Sequence, residues 1–292
     1  MERGIFAPQL KALTSSRVEV PTASDCIRRL PKINRNFLLQ KDYVPHKSLK
    51  LLRDHDLTEA LFQQDSYMRE CDATVVSVKD DKYVVLDRTV FYPKGGGQPY
   101  DTGKILKGDE QFQVVYVGKF SGEISHELDR PGLKINDQVH CVLDWDRRYR
   151  LMRSHTAAHT LASLTWQGTG ALITGNQLEI DKIRFDFDLE NFNRDIFLNL
   201  IAKANDLFKS DIPVKWYELP REEAMKIPGI VKMAEAFPPE VTKLRIVEIV
   251  GVDRQADGGT HVKNLKEVGQ IEFLKAENKG KNNRRVYFRL VQ

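Results

Sequence analysis

The chain has 292 residues, enough for one large or two ordinary domains, each with its own core. Its composition, 41% hydrophobic and 29% charged, is that of a globular protein, and no run approaches the ~20 apolar residues of a membrane span. A net charge of +4 is only mildly basic, so it is compatible with a polyanionic partner without indicating one. Three widely separated cysteines, Cys26, Cys71 and Cys141, exclude a C-x-x-C metal site and favour structural thiols in a reducing, cytoplasmic compartment.

The N-terminal stretch differs from the rest of the chain. Met1 to Leu51 has four prolines, scattered basic residues and no sustained periodicity. It fits a basic extension, a start upstream of the true domain, or a small helical appendage. A transit peptide is less consistent with the acids that it contains, which are Glu2, Glu19, Asp25 and Asp42. We therefore predict a basic extension over 1–64, with the first helix near Leu57–Phe62.

A series of β-strands is predicted from Ala73 onward. Four β-branched, partly alternating segments are separated by turn signals such as Asp80-Asp81 and Arg130-Pro131-Gly132. The segments are Ala73–Lys79, Tyr83–Asp87, Gln113–Val117 and Gln138–Asp144. Short strands at this spacing predict a small antiparallel barrel or sandwich over 65–146.

A glycine-rich loop lies within this region. Gly95, Gly96 and Gly97 let the backbone approach a ligand closely, and Gln98 follows with a donor and an acceptor on one amide. The alternative is a flexible turn without a ligand.

A helix rich in Arg, Leu, Met and Ala is predicted over Arg147–Trp166. His155 and His159 lie four residues apart on one face of it, where both imidazoles could share a metal ion. An isolated H-x-x-x-H is a weak signal, so further ligands are needed.

An α/β two-layer core is predicted after this helix. Ile183–Asp188 alternates strictly as a strand, and Asn193 can cap a helix that runs to Ser210 with one apolar stripe. Strands are predicted at Val214–Glu218 and Leu244–Val250, of which the second leads to the Asp257 loop. The fold class is therefore α+β, with a barrel in front of this core.

The candidate third and fourth ligands are His261 and Asp257. Gly258 and Gly259 between them suit a tight turn that folds both side chains toward one point. Zinc accepts imidazole nitrogen and carboxylate oxygen in tetrahedral geometry. The alternative is an ordinary hairpin turn with Asp257 as its polar cap, but the two spaced pairs together favour a metal site.

The C-terminal stretch Phe273–Leu290 predicts two strands joined by a basic loop. Its cations could contact phosphates together with those of the histidine helix, although a solvated hairpin is the alternative. The basic residues concerned are Lys279, Lys281, Arg284 and Arg285, with Arg147, Arg148, Arg150 and Arg153 on the helix.

Five motifs in this order resemble the editing domain of alanyl-tRNA synthetase and its freestanding AlaX relatives, and more distantly that of threonyl-tRNA synthetase. They are F-Y-P-K-G-G-G-Q-P-Y-D-T-G over 91–103, H-T-A-A-H over 155–159, T-G-N-Q-L-E-I-D-K-I-R-F-D-F over 174–187, W-Y-E-L-P-R-E-E over 216–223 and A-D-G-G-T-H-V over 256–262. The resemblance covers about residues 65 to 292. In one departure, Asp257 stands where the family pattern often has Cys.

The resemblance implies a trans-editing deacylase that hydrolyses tRNA(Ala) mischarged with serine or glycine, with no obligate protein partner. It implies one zinc ion held by His155, His159 and His261, with Asp257 as a weaker fourth ligand, in a domain over 147–292. It gives Gln98 a catalytic role at the ester, and a substrate-binding role to Gly96, Gly97, Thr174 and Arg184. A non-catalytic tRNA-binding relative is the alternative, and a metallopeptidase is disfavoured because the glutamate of H-E-x-x-H is absent.

Overall fold

Residues 58–190, 194–230 and 241–291 are described by a computed structural model. The N-terminal prediction for 1–64 lies outside these ranges up to residue 57, as does the predicted cap Asn193. None of the helices in the described ranges is long and apolar enough to cross a membrane.

Six strands close into an antiparallel barrel in the order β2-β3-β7-β6-β5-β8. Alternate residues point inward, and Val75, Leu86, Ile105 and Phe112 are wholly buried in the barrel core. The strands are β2 Glu70–Lys79, β3 Tyr83–Leu86, β5 Gly103–Lys107, β6 Glu110–Phe120, β7 Glu123–Leu128 and β8 Gln138–Leu143. The predicted antiparallel barrel is confirmed, and β5 and β7 are strands that the sequence patterns did not predict.

The first predicted helix is shorter than expected. Glu59–Ala60 forms a short strand, β1, that pairs in parallel with β4, Arg88–Thr89, and only Leu61–Gln64 is helical (α1). Thr58 Oγ1 donates to the carbonyl of Leu86 at 2.8 Å, which ties this segment to the barrel in an extended conformation.

The histidine helix, α2, spans Trp145–Thr169 and links the barrel to the rest of the chain. Asp144 caps its start by accepting a hydrogen bond from the backbone N–H of Arg147 at 3.2 Å, and Gly170 ends it in the left-handed conformation. The helix is buried along most of its length, because the barrel lies against one part of its surface and the core against another.

Two open sheets and the remaining helices form the core that surrounds α2. A four-stranded sheet has the order β14-β15-β10-β9, and a three-stranded sheet has the order β11-β12-β13. The elements are β9 Ile173–Leu178, β10 Ile183–Asp188, α3 Arg194–Leu207, β11 Val214–Pro220, α4 Arg221–Ala224, β12 Lys243–Ile249, β13 Asp253–Ala256, a 3-10 helix Leu265–Val268, β14 Ile271–Asn278 and β15 Asn283–Leu290. The predicted α+β class is confirmed.

The inward face of the four-stranded sheet is aromatic. Phe185, Phe187 and Phe288 are almost wholly buried and pack with Phe197 of α3, as the strict alternation of β10 predicts. The strand predicted at 244–250 does not lead directly to the Asp257 loop, because the short strand β13 intervenes.

His126 of β7 is buried inside the barrel. Its Nε2 lies 2.9 Å from Thr89 Oγ1, and its Nδ1 lies 3.0 Å from the carbonyl of Val84. Burial disfavours the charged imidazolium and lowers the pKa of His126 to about 4.

His126 should make the barrel sensitive to acid. The pKa of His126 in the folded protein lies below the unfolded value of about 6.5. The stability that this neutral histidine contributes is therefore fully present above pH 6.5 and is lost as the pH falls toward 4. We expect His126→Gln to reduce the pH dependence of the unfolding free energy by roughly 3 kcal/mol across that interval. Urea unfolding of both proteins at several pH values measures this, and parallel curves between pH 7 and 4.5 would contradict it.

Candidate metal centre

Four potential ligands converge on one point. His155 and His159 extend from α2, whereas Asp257 and His261 lie on the loop that follows β13. Their ligand atoms all lie within 4.8 Å of one another, and the three histidines are buried. The two pairs that the sequence spacing indicated are therefore brought together by the fold.

The carboxylate of Asp257 faces the Nε2 atoms of all three imidazoles. Its Oδ2 lies 3.0 Å from His261 Nε2, and its Oδ1 lies 3.6 Å from His155 Nε2 and 4.0 Å from His159 Nε2. The three rings have centroids 4.4 to 5.0 Å apart. Each donor thus points into the same small volume.

Gln98 of the barrel fixes the orientation of His155. Its Oε1 lies 2.9 Å from His155 Nδ1 and accepts from the backbone N–H of Thr260 at 3.2 Å, while its Nε2 donates to Thr260 Oγ1. Because a backbone N–H can only donate, the atom facing Thr260 N and His155 must be the amide oxygen. His155 Nδ1 therefore carries the proton, and the lone pair of Nε2 faces the cluster.

The other two histidines are held in the same way. His159 Nδ1 lies 3.1 Å from Asp253 Oδ2, an acceptor that requires the proton on Nδ1. His261 Nδ1 lies 3.1 Å from Thr156 Oγ1, which also accepts from the backbone N–H of Val262; this hydroxyl can donate or accept, so it holds the ring of His261 without setting its tautomer. Partners of this kind fix the ring and tautomer of a metal-bound histidine.

This donor set suits a zinc ion. Zinc bonds to imidazole nitrogen at about 2.0–2.1 Å in tetrahedral geometry, which places neighbouring donors about 3.3 Å apart. Asp257 Oδ1 lies 3.6 and 4.0 Å from Nε2 of His155 and His159, somewhat wider than that spacing, and Oδ2 lies 3.0 Å from Nε2 of His261, somewhat closer. Imidazole nitrogen and carboxylate oxygen are both ordinary ligands of zinc in proteins.

Burial keeps His155 and His261 neutral. It lowers the pKa of His155 well below its usual range and that of His261 to about 4. Burial opposes a charge on Asp257, but the neighbouring His155 and His261 outweigh it and hold the pKa of that carboxyl well below its usual range. At neutral pH these two imidazoles therefore present neutral nitrogens beside an anionic oxygen, the protonation states that bind metal.

The loop carrying Asp257 approaches α2 closely. A Cβ on Gly259 would lie 2.2 Å from Cε1 of His155, so only glycine fits there without displacing the ring. The backbone N–H of Gly259 donates to Asp257 Oδ2 at 2.6 Å. Arg245 of β12 donates from Nη1 to the carbonyls of Asp257 and Gly259, which fixes the loop from the opposite side.

A cavity of about 610 Å³ opens onto the cluster. The barrel supplies one side of it, including Phe62, Tyr92 and the loop over 93–96. The core supplies the other, with an apolar wall beside the histidines formed by Ala158, Ala162, Ile173 and Phe185. The volume lies in the range of small-molecule sites, and His155, His159 and Asp257 of the cluster are among its lining residues.

Comparison with known proteins agrees with this geometry. Residues 33–147 match the family described as tRNA synthetases class II (A), and residues 244–287 match the threonyl and alanyl tRNA synthetase second additional domain. The alanyl-tRNA editing protein AlaX-M of Methanosarcina barkeri is 51% identical over 242 residues, which are 80% of this chain and 100% of the relative. The AlaX-M of Saccharolobus solfataricus is 49% identical over 236 residues, covering 80% of this chain and 98% of the relative. The chain belongs to the AlaX-M family of alanyl-tRNA editing proteins.

A longer relative shares the same region. The alanine–tRNA ligase of Staphylothermus marinus is 36% identical over 240 residues, which are 80% of this chain but only 26% of that enzyme. This AlaX-M chain therefore corresponds to one part of the ligase, as the sequence motifs indicated.

The predicted substrate-binding residues divide into two groups. Gly96 lines the cavity, and Gly97 packs against Asn176 of β9 so closely that a Cβ would lie 2.2 Å from Asn176 Oδ1. Thr174, by contrast, is exposed and does not line the cavity, because Ile173 before it faces inward. Arg184 lies on the outer face of the sheet, in a separate shallow depression with Tyr287.

The predicted phosphate-binding role is wrong for Arg148 and Arg284. Arg148 is wholly buried and donates to Asp101, and Arg284 is 6% exposed and donates to main-chain carbonyls of its own hairpin. Arg285 pairs with Asp186 through two hydrogen bonds. The sequence shows these side chains only as cations, and the acids that bind Arg148 and Arg285 lie 47 and 99 positions away along the chain.

Three supporting residues were missed by the sequence patterns. Asp253 and Thr156 orient histidines, and Arg245 holds the Asp257 loop. Thr156 could have been suggested by its position between the two helix histidines. Nothing in the local sequence indicates the roles of Asp253 and Arg245, because acidic and basic residues are common on the solvent-facing side of strands.

Gly259→Ala should weaken zinc binding, because the added methyl group must displace the His155 ring. We expect the zinc dissociation constant to rise about ten- to a hundredfold, which is the usual effect of mutating a residue that orients a metal ligand. Gly258→Ala is the matched control, since its Cβ would lie 3.6 Å from Gln63 Nε2, an ordinary contact. Competition with a chelating dye measures both, and equal affinities would contradict the close approach.

Proposed function

We propose that this protein is a trans-editing deacylase that hydrolyses tRNA(Ala) mischarged with serine or glycine. The observation that carries the proposal is the His155–His159–Asp257–His261 cluster beside a cavity large enough for an aminoacylated nucleoside. Membership of the AlaX-M family and the names of its relatives support the substrate class.

One zinc ion per chain is proposed as the cofactor. His155, His159 and His261 would hold it through Nε2, with Asp257 as the weaker fourth ligand. When bound, zinc supplies a Lewis acid that polarises an ester carbonyl or acidifies a water molecule. The hydrogen-bond partners of the three Nδ1 atoms orient the rings so that each Nε2 faces the site of the ion.

The remainder of the cavity would position the ester. An ester is already activated relative to an amide, so the site needs chiefly to place a water molecule and to stabilise the developing oxyanion. The wall of Ala158, Ala162, Ile173 and Phe185 offers a small apolar space beside the cluster. Such a space admits a small amino acid, and serine and glycine are both small enough for it.

A non-catalytic tRNA-binding relative is less consistent with this site. Replacement of a family cysteine by Asp257 could have removed a ligand, but the carboxylate faces all three Nε2 atoms and is held by Gly259 and Arg245. We further propose the division into a barrel domain over 65–146 and an editing domain over 147–292, and action in the cytoplasm.

Gln98 is proposed to act through His155 rather than on the ester. The side chain is 1% exposed, and its oxygen and nitrogen are both engaged by His155 and Thr260. It is therefore a positioning residue that joins the barrel to the metal site, in place of the direct catalytic role that the resemblance implied.

The deacylase proposal predicts metal-dependent hydrolysis. We expect the protein to release serine from seryl-tRNA(Ala), to lose this activity with a chelator and to regain it with added zinc. Correctly charged alanyl-tRNA(Ala) should be hydrolysed more slowly. Release of labelled amino acid, corrected for spontaneous hydrolysis, measures the rates. A chelated protein as fast as the zinc-loaded one, or a loaded protein without hydrolysis, would sink the proposal.

Gln98→Ala distinguishes positioning from direct catalysis. Loss of the acceptor for His155 Nδ1–H should weaken zinc binding about ten- to a hundredfold, whereas deacylation at saturating zinc should recover most of the parental rate. Gln98→Glu keeps an acceptor for His155 and Thr260 and should restore affinity.

The opposite pattern identifies a direct role for Gln98. A donor to the developing oxyanion would cost on the order of a hundredfold in rate even at saturating zinc, with metal affinity unchanged. That result would refute the positioning role.

A further inference from the structure

Cys71 and Cys141 lie directly opposite each other in the barrel. Cys71 belongs to β2 and Cys141 to β8, and the two residues are Cα partners in the antiparallel register of these strands. Opposite residues of an antiparallel pair project from the same face of the sheet, so the two thiols are neighbours. That face is the barrel interior, because Cys141 shares the inward side of β8 with buried Val139 and Leu143.

The backbone spacing at this pair is that of a disulfide. The N–H of Leu143 donates to the carbonyl of Arg69 at 2.8 Å, which marks these two opposite residues as a hydrogen-bonded pair. Hydrogen-bonded pairs recur at every second residue of an antiparallel ladder, so Cys71 and Cys141 form the next such pair along it. Opposite residues of this type have Cα atoms about 5.5 Å apart, within the range of about 4.4–6.8 Å for bridged cysteines. A bond between the two sulfurs therefore needs no change in strand register.

The two thiols are unequal in exposure and in acidity. Cys71 is partly exposed near the start of β2, whereas Cys141 is wholly buried. A hydrogen bond from the Cys141 thiol, together with one from the main chain of Val90, lowers the pKa of Cys71. The same contact with Cys71, reinforced by burial, raises the pKa of Cys141 well above its usual range. Cys71 is thus the thiolate that an oxidant meets first, and Cys141 holds a proton beside it.

The pair lies apart from the candidate metal centre. Neither cysteine lines the cavity, and the four clustered side chains are three imidazoles and a carboxylate without a thiol. Cys26, the third cysteine of the chain, lies outside the described residues. Oxidation confined to β2 and β8 therefore leaves the four clustered side chains chemically unchanged.

We propose that Cys71 and Cys141 form a reversible oxidation site whose oxidant is a hydroperoxide. The Cys71 thiolate attacks a peroxide oxygen and breaks the O–O bond, which gives a sulfenic acid, and the leaving oxygen takes up the proton released from the thiol. The Cys141 sulfur then attacks the Cys71 sulfur. The S–S bond forms, the S–O bond breaks, and the hydroxyl group leaves with the Cys141 proton as water. Each cysteine loses one electron, and the peroxide gains two.

A dithiol reductant reverses the oxidation. Its thiolate attacks the partly exposed Cys71 sulfur and breaks the S–S bond, and its second thiol then releases Cys71 from the mixed disulfide. Because Cys141 lies directly opposite, it captures the sulfenic acid before a second peroxide reacts. Cys71 is thereby protected from the sulfinic acid, which thiols do not reduce.

The test treats the folded full-length protein with hydrogen peroxide and locates the oxidised cysteines by peptide mass mapping. We expect one intramolecular disulfide between Cys71 and Cys141, a mass lower by two hydrogen atoms, and complete return of both thiols with dithiothreitol. Cys26→Ser should give the same result. A disulfide that joins Cys26 or a second chain, or a protein that keeps both thiols under conditions that oxidise free cysteine, would overturn the proposal.

Single variants in the Cys26→Ser background separate the two roles. Cys141→Ala keeps the Cys71 thiolate without its partner and should accumulate sulfinic acid that dithiothreitol does not remove. Cys71→Ala leaves only the buried Cys141 and should react with peroxide roughly tenfold more slowly or less. Equal rates for the two variants, or a faster reaction of Cys71→Ala, would refute Cys71 as the attacking thiol. The disulfide of the parent is mapped without any substitution, so the pairing remains testable if either variant fails to fold.

Discussion

The buried guanidinium of Arg148 joins the two parts of the protein. It is wholly inaccessible and donates to both carboxylate oxygens of Asp101 and to the carbonyls of Ser66 and Val90, all of which belong to the barrel side. Because all three guanidinium nitrogens donate to these acceptors, the first turn of α2 is fixed in its position on the barrel. Loss of one partner from such a buried pair typically costs several kcal/mol.

The metal centre depends on that attachment through helix geometry. His155 lies seven residues after Arg148, two turns along the same face, and His159 one turn beyond. Anchoring Arg148 therefore brings His155 to Gln98, whose loop is itself held to β9 by Asn176 Nδ2 and by the N–H of Leu178. The side-chain amide of Gln98 is therefore the point at which barrel, helix and sheet meet. Gln98 sets the tautomer of His155, a candidate ligand that lies 57 positions away along the chain.

Local patterns predicted the elements, whereas side-chain partners required the fold. Helix spacing was sufficient to pair His155 with His159, and alternation was sufficient to identify the buried face of β10. The partner of each arginine was unpredictable, because a cation looks the same in sequence whether it binds phosphate or a distant carbonyl. The cysteines show the same limit: Cys71 and Cys141 are far apart in the chain yet lie directly opposite each other on β2 and β8.

As the proposed fourth zinc ligand, Asp257 would replace the cysteine of the family pattern, and its surroundings bear on that change. A carboxylate is a harder donor than thiolate and binds zinc less strongly, so its placement matters more. Gly259 N–H and His261 engage Oδ2, and Oδ1 is left facing His155 and His159. Because Arg245 fixes the main chain on the other side of this loop, the carboxylate is presented with little freedom to turn away. A preorganised oxygen loses less conformational entropy on binding an ion, and this offsets part of the weaker bond.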